Sequence, residues 1–296
     1  MAITIQPADC RRADFVGDVV GVDLRQRLGA DEVAAIEAGM DRFGVLVFRD
    51  QPLDDVQQLA FSRNFGTLET ATGDLAQGEQ RRLSMEVNDI SNVAKDGSLL
   101  ARDDRRRLFG LGNMLWHSDS SFKAVPAKYS LLSGRVVPPR GGNTQFADMR
   151  AAWDTLDAET RALVEPLVCE HTQIHSRGVL GFTDFTDDER RRFAPVLQRL
   201  VRTHPVTRRK SLFLSSHAGG IVGWLVPEAR NLLRDLAEHA TQRERVHAHV
   251  WRQHDLVMWD NRVTMHRARR YDPAERRDLR RTTVASEHAT VEQRAA

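Results

Sequence analysis

His117 and Asp119, which are separated only by Ser118, limit what this chain can fold into more than any other feature. Successive side chains of an extended strand point to opposite faces, so residues two apart share a face. An imidazole and a carboxylate on one face can occupy two adjacent positions of a metal ion. A distant histidine would complete the two-histidine, one-carboxylate triad that leaves three positions open on Fe(II). His266 is the best candidate for that third ligand.

A histidine and an aspartate at this spacing also occur by chance, because the chain contains 11 histidines. The alternative interpretation is a hydrogen-bonded pair that binds no metal. Residues elsewhere in the sequence must distinguish the two interpretations.

Three further residues are suited to bind a dianionic acid. Thr144 follows a Gly-Gly turn, and Arg277 and Arg281 lie downstream of His266. If residues 277–283 are extended, the two arginines share a face. A guanidinium group binds carboxylates in a bidentate manner and stays charged when buried. The alternative interpretation of this arginine-rich stretch is a solvated segment held by salt bridges.

Composition excludes several functional classes. The formal net charge is +2, which gives no case for nucleic acid or another polyanion as a partner. The two cysteines, Cys10 and Cys169, indicate neither a disulfide framework nor a structural zinc site. No stretch resembles a signal peptide, and no apolar run is long enough to span a bilayer. We therefore expect a cytoplasmic protein with no membrane partner.

The hydrophobic pattern predicts β segments on both sides of helical ones, without a βαβ rhythm. The predicted helices span residues 31–42, a segment capped by Asp54 or Asp55, 149–158 and 227–242. The predicted strands span 19–23, 45–48, 89–93, 128–137, 143–147, 200–204, 211–215, 246–251, 256–259, 263–267 and 280–284. This order favours an antiparallel sandwich or barrel with peripheral helices. Without repeats or a linker, we predict a single domain over residues 1–296.

Residues 66–112 lack strong periodicity. A long irregular segment in a compact domain is often a lid or a binding loop, and we expect it to supply the apolar wall of a substrate pocket. The alternative is a solvated excursion on the surface. Residues 286–296 are polar and are predicted to be a frayed tail.

Together, the His-x-Asp pair, the threonine after Gly-Gly, the distal histidine and the arginine beyond it resemble the motifs of one family. That family is the TauD/TfdA family of Fe(II)/2-oxoglutarate dioxygenases, and the resemblance covers nearly the whole chain. Residues 45–53, 115–122 and 255–262 look most like its aryloxyacetate-cleaving members, whereas residues 68–88 look least like them. The resemblance implies a double-stranded β-helix, a cupin-like jelly roll, which agrees with the mainly β pattern.

The resemblance also implies roles for individual residues. His117, Asp119 and His266 match the iron ligands of the family. Thr144 and Arg277 match the residues that bind the distal carboxylate of 2-oxoglutarate. We expect no catalytic residue beyond the metal site.

Four more positions match the family less directly. Trp251 matches a tryptophan that lines the 2-oxoglutarate pocket, although a core aromatic residue is the alternative. Arg281 matches the arginine near the other end of 2-oxoglutarate and the anionic group of the substrate. Asn113 matches a substrate-side position. His217 is a weaker candidate for substrate binding, because a hydrogen-bonded loop histidine explains it equally well.

The activity implied by the resemblance needs Fe(II), 2-oxoglutarate and O2, with ascorbate as the reductant in vitro. It hydroxylates the carbon next to the ether oxygen of aryloxyacetates such as 2,4-dichlorophenoxyacetate, and gives a phenol and glyoxylate with succinate and CO2. The expected partner is a small anionic aromatic substrate, as in herbicide catabolism. A homo-oligomer is compatible with the family.

Two alternatives to this activity stay open at this point. One is the same chemistry on another small anion, such as a phenoxypropionate, a cinnamate-like acid, a sulfonate or an alkyl sulfate. The other is a non-catalytic β-helix domain that binds a small acid.

Overall fold

The computed structural model describes residues 3–71 and 81–293 of the chain. The α-helices of this part are α1 (Ala30–Phe43), α2 (Asp55–Arg63), α3 (Arg105–Gly110), α4 (Met149–Asp154), α5 (Ala158–Val164), α6 (Gln173–Val179), α7 (Asp187–Arg192) and α8 (Val226–Ala240). Its strands are β1 (Thr4–Pro7), β2 (Val16–Val20), β3 (Val45–Phe48), β4 (Asn88–Ser91), β5 (Ala127–Val136), β6 (Thr144–Asp148), β7 (Val168–His171), β8 (Val196–Arg199), β9 (Val201–Thr203), β10 (Lys210–Leu212), β11 (Ala218–Ile221), β12 (Val246–His249), β13 (Leu256–Asp260), β14 (Thr264–Ala268) and β15 (Asp278–Ala285).

Strand β13 is the centre of a seven-stranded sheet with the order β1-β2-β3-β13-β5-β15-β4. All neighbours in this sheet are antiparallel except β2 and β3. Side chains of β13 alternate between the two faces, so Val257 and Trp259 join one apolar cluster while Leu256 and Met258 join another. The uninterrupted apolar run of β13 in the sequence therefore reflects the burial of this strand on both faces of the large sheet.

A three-stranded sheet, β12-β6-β14, faces the inner side of the large sheet. Phe146 of β6 belongs to the same apolar cluster as Trp259, and the centroids of the two rings are 5.4 Å apart. Two largely antiparallel sheets that share a core in this way form a sandwich. The strands from β7 to β11 form two smaller sheets, β11-β7-β8 and β10-β9, in the segment between β6 and β12.

Helices α1 and α2 cover the outer face of the large sheet. Ile36 of α1 and Phe61 of α2 pack in one cluster with Leu46 and Met258. The side chain of Asp54 accepts a hydrogen bond from the first turn of α2, as the sequence predicts. The predicted arrangement of peripheral helices on a β core is therefore present.

The His-x-Asp segment is not part of a regular strand. His117 forms an isolated bridge to His266, and the chain then turns, with Ser120 in the left-handed region at φ 54°. The physical reason is that the N–H of Asp119 donates to the side chain of Asn261 rather than to a neighbouring strand.

Other predicted elements differ in extent. The helix predicted over 149–158 ends at Asp154, because Asp157 caps the separate helix α5. Strands β7, β8 and β11 were not predicted. The described part of the segment 66–112 contains β4, α3 and the start of the short 3-10 helix Leu111–Met114, so this part is less irregular than expected.

Parts of two predictions lie outside the described residues. These parts are positions 72–80 of the predicted lid and positions 294–296 of the predicted tail. Within the described ranges, no helix is both long enough and apolar enough to cross a membrane.

We expect Met258→Ala to lower the free energy of unfolding by about 2–5 kcal/mol, because the side chain is fully buried between the large sheet and the helices. Denaturant titration measures this change. Val56→Ala is the control, since Val56 is 74% exposed and its loss should cost less than about 0.5 kcal/mol. Equal small changes for both variants would contradict the burial of Met258.

Candidate active site

His117, Asp119 and His266 form a compact group of metal-ligand side chains. Their ligand atoms all lie within 4.8 Å of one another, and all three residues are buried. Nε2 of His117 lies 3.7 Å from Oδ1 of Asp119, and Nε2 of His266 lies 3.7 Å from Oδ2. Three donors at these separations can surround one side of an ion and leave its other side open. The structure thus brings together the triad that the sequence predicts.

The backbone places the two histidines side by side. The N–H of His117 donates to the carbonyl oxygen of His266 (3.0 Å), and the N–H of His266 donates to the carbonyl oxygen of His117 (2.8 Å). Residues that exchange both hydrogen bonds face each other across antiparallel chains and share one face. Their ring centroids are 4.2 Å apart as a result.

Hydrogen bonds from outside the triad orient its members. Nδ1 of His117 lies 2.8 Å from the carbonyl oxygen of Leu115, so Nδ1 carries the proton and Nε2 keeps its lone pair. The hydroxyl of Ser130 donates to Oδ2 of Asp119 (2.7 Å), and the N–H of Asp119 donates to Oδ1 of Asn261 (3.0 Å). The amide of Asn261 also donates to the hydroxyl of Ser130 (2.9 Å).

The protonation states of the triad suit a divalent ion. Burial lowers the pKa of His117 and lowers that of His266 well below its usual value, so both rings are neutral. Burial alone would raise the pKa of Asp119, but the positive charge of Arg281, with the hydrogen bond from Ser130, brings it to about 2. Two neutral imidazoles and one carboxylate need lose no proton to bind a metal. This donor set therefore fits Fe(II).

We expect Asn261→Ala to weaken metal binding by about 10- to 100-fold, the range for losing a partner that orients a ligand. Calorimetric titration with Mn(II) measures the dissociation constant. Asn64→Ala is the control, because Asn64 only donates to backbone carbonyls near the exposed end of α2. An unchanged constant in Asn261→Ala would contradict the orienting role.

A second group of predicted residues includes a buried arginine. The indole N–H of Trp251 donates to Oγ1 of Thr144 (3.0 Å), so the hydroxyl proton of Thr144 stays available. Arg277 is 4% exposed and donates to the carbonyl oxygen of Ile90 (3.1 Å). Gly142, two residues before Thr144, faces this guanidinium, since a Cβ there would lie 3.5 Å from Nε of Arg277.

The guanidinium of Arg277 is available to an anion. Among the described residues, its buried Nε has no hydrogen-bond partner. Burial lowers the pKa of Arg277 to about 10, so the side chain is still charged at neutral pH. A buried cation without a counter-ion is stabilised by a bound carboxylate.

The other predicted residues lie around the triad. Arg281 of β15 donates to Oδ1 of Asp119. His217 packs edge-on against two rings, with its centroid 6.0 Å from that of His117 and 5.0 Å from that of Phe122. Asn113 is half-buried in the 3-10 helix Leu111–Met114, which packs against β14.

One buried arginine near the triad and His217 was not predicted from the sequence. Arg177 of α6 is 4% exposed and donates to Oγ of Ser176 (3.0 Å), which in turn lies 2.9 Å from Nδ1 of His217. The positive charge of Arg177 helps to lower the pKa of both His217 and His117. The chain has 43 lysines and arginines, so one arginine in a short helix gives no signal of its own.

Comparisons with known proteins agree with this geometry. The family model described as "Taurine catabolism dioxygenase TauD, TfdA family" matches residues 6–283. The chain is 50% identical over 270 residues to the alpha-ketoglutarate-dependent 2,4-dichlorophenoxyacetate dioxygenase of Cupriavidus pinatubonensis, covering 91% of this chain and 94% of that protein. It is 38% identical to the (S)-phenoxypropionate/alpha-ketoglutarate-dioxygenase of Sphingobium herbicidovorans, and the match covers 98% of this chain and 97% of that protein.

A solved structure is also similar. The crystal structure of AAD-2 in complex with Mn(II) and N-oxalylglycine matches with a TM-score of 0.95 and 58% identity, over 98% of this chain and all (100%) of that chain. The predicted mainly β fold with peripheral helices, a double-stranded β-helix, is thereby confirmed. The predicted need for Fe(II) and 2-oxoglutarate is confirmed as well, and the non-catalytic alternative is set aside. The chain belongs to the TauD/TfdA family and is an Fe(II)- and 2-oxoglutarate-dependent dioxygenase.

Proposed function

We propose that this enzyme hydroxylates the carbon next to the ether oxygen of aryloxyacetates such as 2,4-dichlorophenoxyacetate. The observation that carries the proposal is the guanidinium of Arg281 beside the triad, bonded to Asp119. A carboxylate bound there would hold its neighbouring carbon close to the metal position. The relative that is 50% identical acts on 2,4-dichlorophenoxyacetate, which supports this substrate class.

The proposed reaction consumes one O2 and one 2-oxoglutarate for each substrate. One oxygen atom enters succinate as 2-oxoglutarate loses CO2, and the other replaces a hydrogen of the substrate CH2 as a hydroxyl group. The product is a hemiacetal, in which the ether oxygen is a good leaving group. The bond from carbon to that oxygen then breaks, and the hydroxyl proton is transferred, which gives a phenol and glyoxylate.

Bound Fe(II) supplies the redox chemistry with O2, while the protein supplies position and charge. We propose that His117, Asp119 and His266 are its ligands. We propose further that Arg277 binds the distal carboxylate of 2-oxoglutarate through two parallel N–H···O bonds. Thr144 would donate its hydroxyl proton to the same carboxylate.

The indole of Trp251 keeps the hydroxyl of Thr144 oriented, because it occupies one acceptor position of that oxygen. Trp251 also belongs to the apolar cluster between the two sheets. We therefore propose that Trp251 is both a core aromatic residue and part of the lining of the 2-oxoglutarate pocket. The two interpretations of its sequence position are then compatible.

On the substrate side, we propose that Arg281 binds the carboxylate, while Asn113, His217 and Phe122 line the space beside the metal. Phe122 and the ring of His217 offer apolar surface to an aromatic ring. The aryl wall expected from residues 66–112, the single domain, the cytoplasmic location and a homo-oligomeric state stay predictions.

A substrate panel tests this proposal. Purified protein with Fe(II), ascorbate, 2-oxoglutarate and O2 is assayed for succinate release with 2,4-dichlorophenoxyacetate, both enantiomers of 2-phenoxypropionate, cinnamate and taurine. We expect the largest kcat/KM for the aryloxyacetate. A larger kcat/KM for (S)-phenoxypropionate, the substrate named for the relative at 38% identity, would overturn the choice of aryloxyacetates. Preference for taurine or cinnamate would overturn it too.

A further inference from the structure

Four arginines are buried in the part of the chain that the structure describes. Arg150 and Arg262 each pair with an aspartate two residues earlier in the sequence. Arg177 and Arg277 have no carboxylate within ion-pair distance among the described residues. A buried charge without a counter-ion is costly, so such arginines indicate sites where an anion binds. Arg277 is assigned above to 2-oxoglutarate, which leaves Arg177 without a ligand.

The guanidinium of Arg177 is held firmly on one side. Its Nε donates to the carbonyl oxygen of Phe109 (3.2 Å), and the group lies over the ring of Phe109 at 4.4 Å from the centroid. Its Nη1 donates to Oγ of Ser176 (3.0 Å). Its Nη2 makes no hydrogen bond within the described residues, so this nitrogen can donate to a ligand.

Arg177 is linked to the triad through Ser176 and His217. Ser176 links it to His217, whose ring lies 6.0 Å from that of His117. Burial, together with repulsion from the positive charge of Arg281, lowers the pKa of Arg177, and both guanidiniums help to lower the pKa of His117. Arg281 is already bonded to Asp119, whereas Arg177 has no carboxylate partner in the part of the chain that the structure describes.

The backbone is built to admit this side chain. A Cβ at Gly112 would collide with the guanidinium of Arg177, so a larger residue at position 112 would displace it. Asn113, which is assigned above to the substrate side of the pocket, is the next residue in the same 3-10 helix.

We propose that Arg177 binds the carboxylate of the substrate together with Arg281, and that Arg177 supplies the charge that balances it. This inference rests on the proposed function, because it concerns the anionic group of the same substrate. The ligand chemistry is a monoanionic carboxylate next to an apolar aromatic ring. Arg177 binds this group directly, while Ser176 positions the guanidinium.

The test measures binding without turnover. The enzyme is loaded with Fe(II) and 2-oxoglutarate under anaerobic conditions and titrated calorimetrically with 2,4-dichlorophenoxyacetate. A parallel titration uses 2-(2,4-dichlorophenoxy)ethanol, which keeps the ring and the ether but has no charge. We expect Arg177→Gln to raise the dissociation constant of the acid by about 10- to 100-fold, as the loss of a charge-assisted hydrogen bond predicts. The dissociation constants of the alcohol and of 2-oxoglutarate should change little.

Two further variants make the result specific. Gly112→Ala displaces the guanidinium of Arg177 but keeps its charge. We therefore expect this variant, too, to weaken binding of the acid more than binding of the alcohol. If Arg177→Gln does not fold, Gly112→Ala tests whether Arg177 binds the substrate carboxylate. Arg202→Gln is the matched control, because Arg202 lies over the ring of Phe213 at 4.7 Å and its charge interacts with Asp260. This control should leave both dissociation constants unchanged.

The outcomes separate this inference from the proposed function. If the wild-type enzyme binds neither the acid nor the alcohol, the proposed substrate class is wrong. If the wild-type enzyme binds the acid but Arg177→Gln and Gly112→Ala bind it equally well, the role of Arg177 is wrong. Equal weakening of the acid and the alcohol would also overturn it, because a purely structural role predicts that result.

Discussion

Replacing Asp119 with alanine is expected to reduce turnover by more than about 100-fold. The loss of a residue that only hydrogen-bonds a metal ligand typically lowers activity by about 10- to 100-fold, and the loss of the ligand itself should have a larger effect. Two histidines would remain, and two neutral donors bind a divalent ion weakly. The variant also leaves the guanidinium of Arg281 without the carboxylate that it contacts. Succinate release and calorimetric titration with Mn(II) measure the two losses separately.

Ser118→Ala is the matched control for Asp119→Ala. The single hydroxyl proton of Ser118 is shared between the carbonyl oxygens of Leu214 (3.2 Å) and Thr264 (3.0 Å). The loss of this hydroxyl should cost about 0.5–1.5 kcal/mol of stability and should leave metal binding intact. Full activity in Asp119→Ala, or equal losses of metal binding in both variants, would contradict the assignment of the triad.

Replacing Arg277 with alanine is expected to raise the KM for 2-oxoglutarate by about 10- to 100-fold, since a hydrogen bond to a charged group contributes about 1.5–3 kcal/mol. The KM for the aryloxyacetate should change much less. The reason is that Arg277 lies beside Gly142, close to Thr144 and Trp251, whereas Arg281 lies at Asp119. Steady-state kinetics with each substrate varied in turn measure both constants.

Arg276→Ala is the control for this variant, because Arg276 is exposed and donates only to the carbonyl oxygen of Gly97. It should leave both KM values unchanged. If Arg277→Ala raised the KM for the aryloxyacetate as much as that for 2-oxoglutarate, the roles proposed for Arg277 and Arg281 would be exchanged or shared.

The metal triad was predictable from the sequence because its chemistry depends on residue type and order. Few residue types make good ligands for Fe(II), and the spacing of His117 and Asp119 places them on one face wherever the chain is extended. The prediction held even though the segment is a single bridge followed by a turn, since one antiparallel pair is enough to place His117 beside His266.

Long, strongly patterned elements were predictable for a similar reason. The run at β13 is buried on both faces, and the pattern of α1 matches one apolar stripe. The short strands β7, β8 and β11 were not predicted, because three or four residues carry too little periodicity to be recognised.

The roles proposed for Arg177 and Asn261 could not be predicted from the sequence. Each depends on tertiary contacts: Arg177 is linked to His217 through Ser176, and the side chain of Asn261 accepts a hydrogen bond from the N–H of Asp119. Neither residue type signals such a role by itself, and arginine is common in this chain. Burial without a counter-ion, which marks Arg177, is a property that only the folded structure reveals.

The proposed aryloxyacetate-cleaving activity is tested most directly by measuring phenol and succinate together. The Fe(II)-loaded enzyme is supplied with 2,4-dichlorophenoxyacetate, 2-oxoglutarate and O2, and 2,4-dichlorophenol, glyoxylate and succinate are quantified over time. We expect all three products to appear in a one-to-one-to-one ratio, and none to appear with Asp119→Ala. Succinate without phenol from the wild-type enzyme would show an active dioxygenase whose substrate is not an aryloxyacetate, which would contradict the proposed activity.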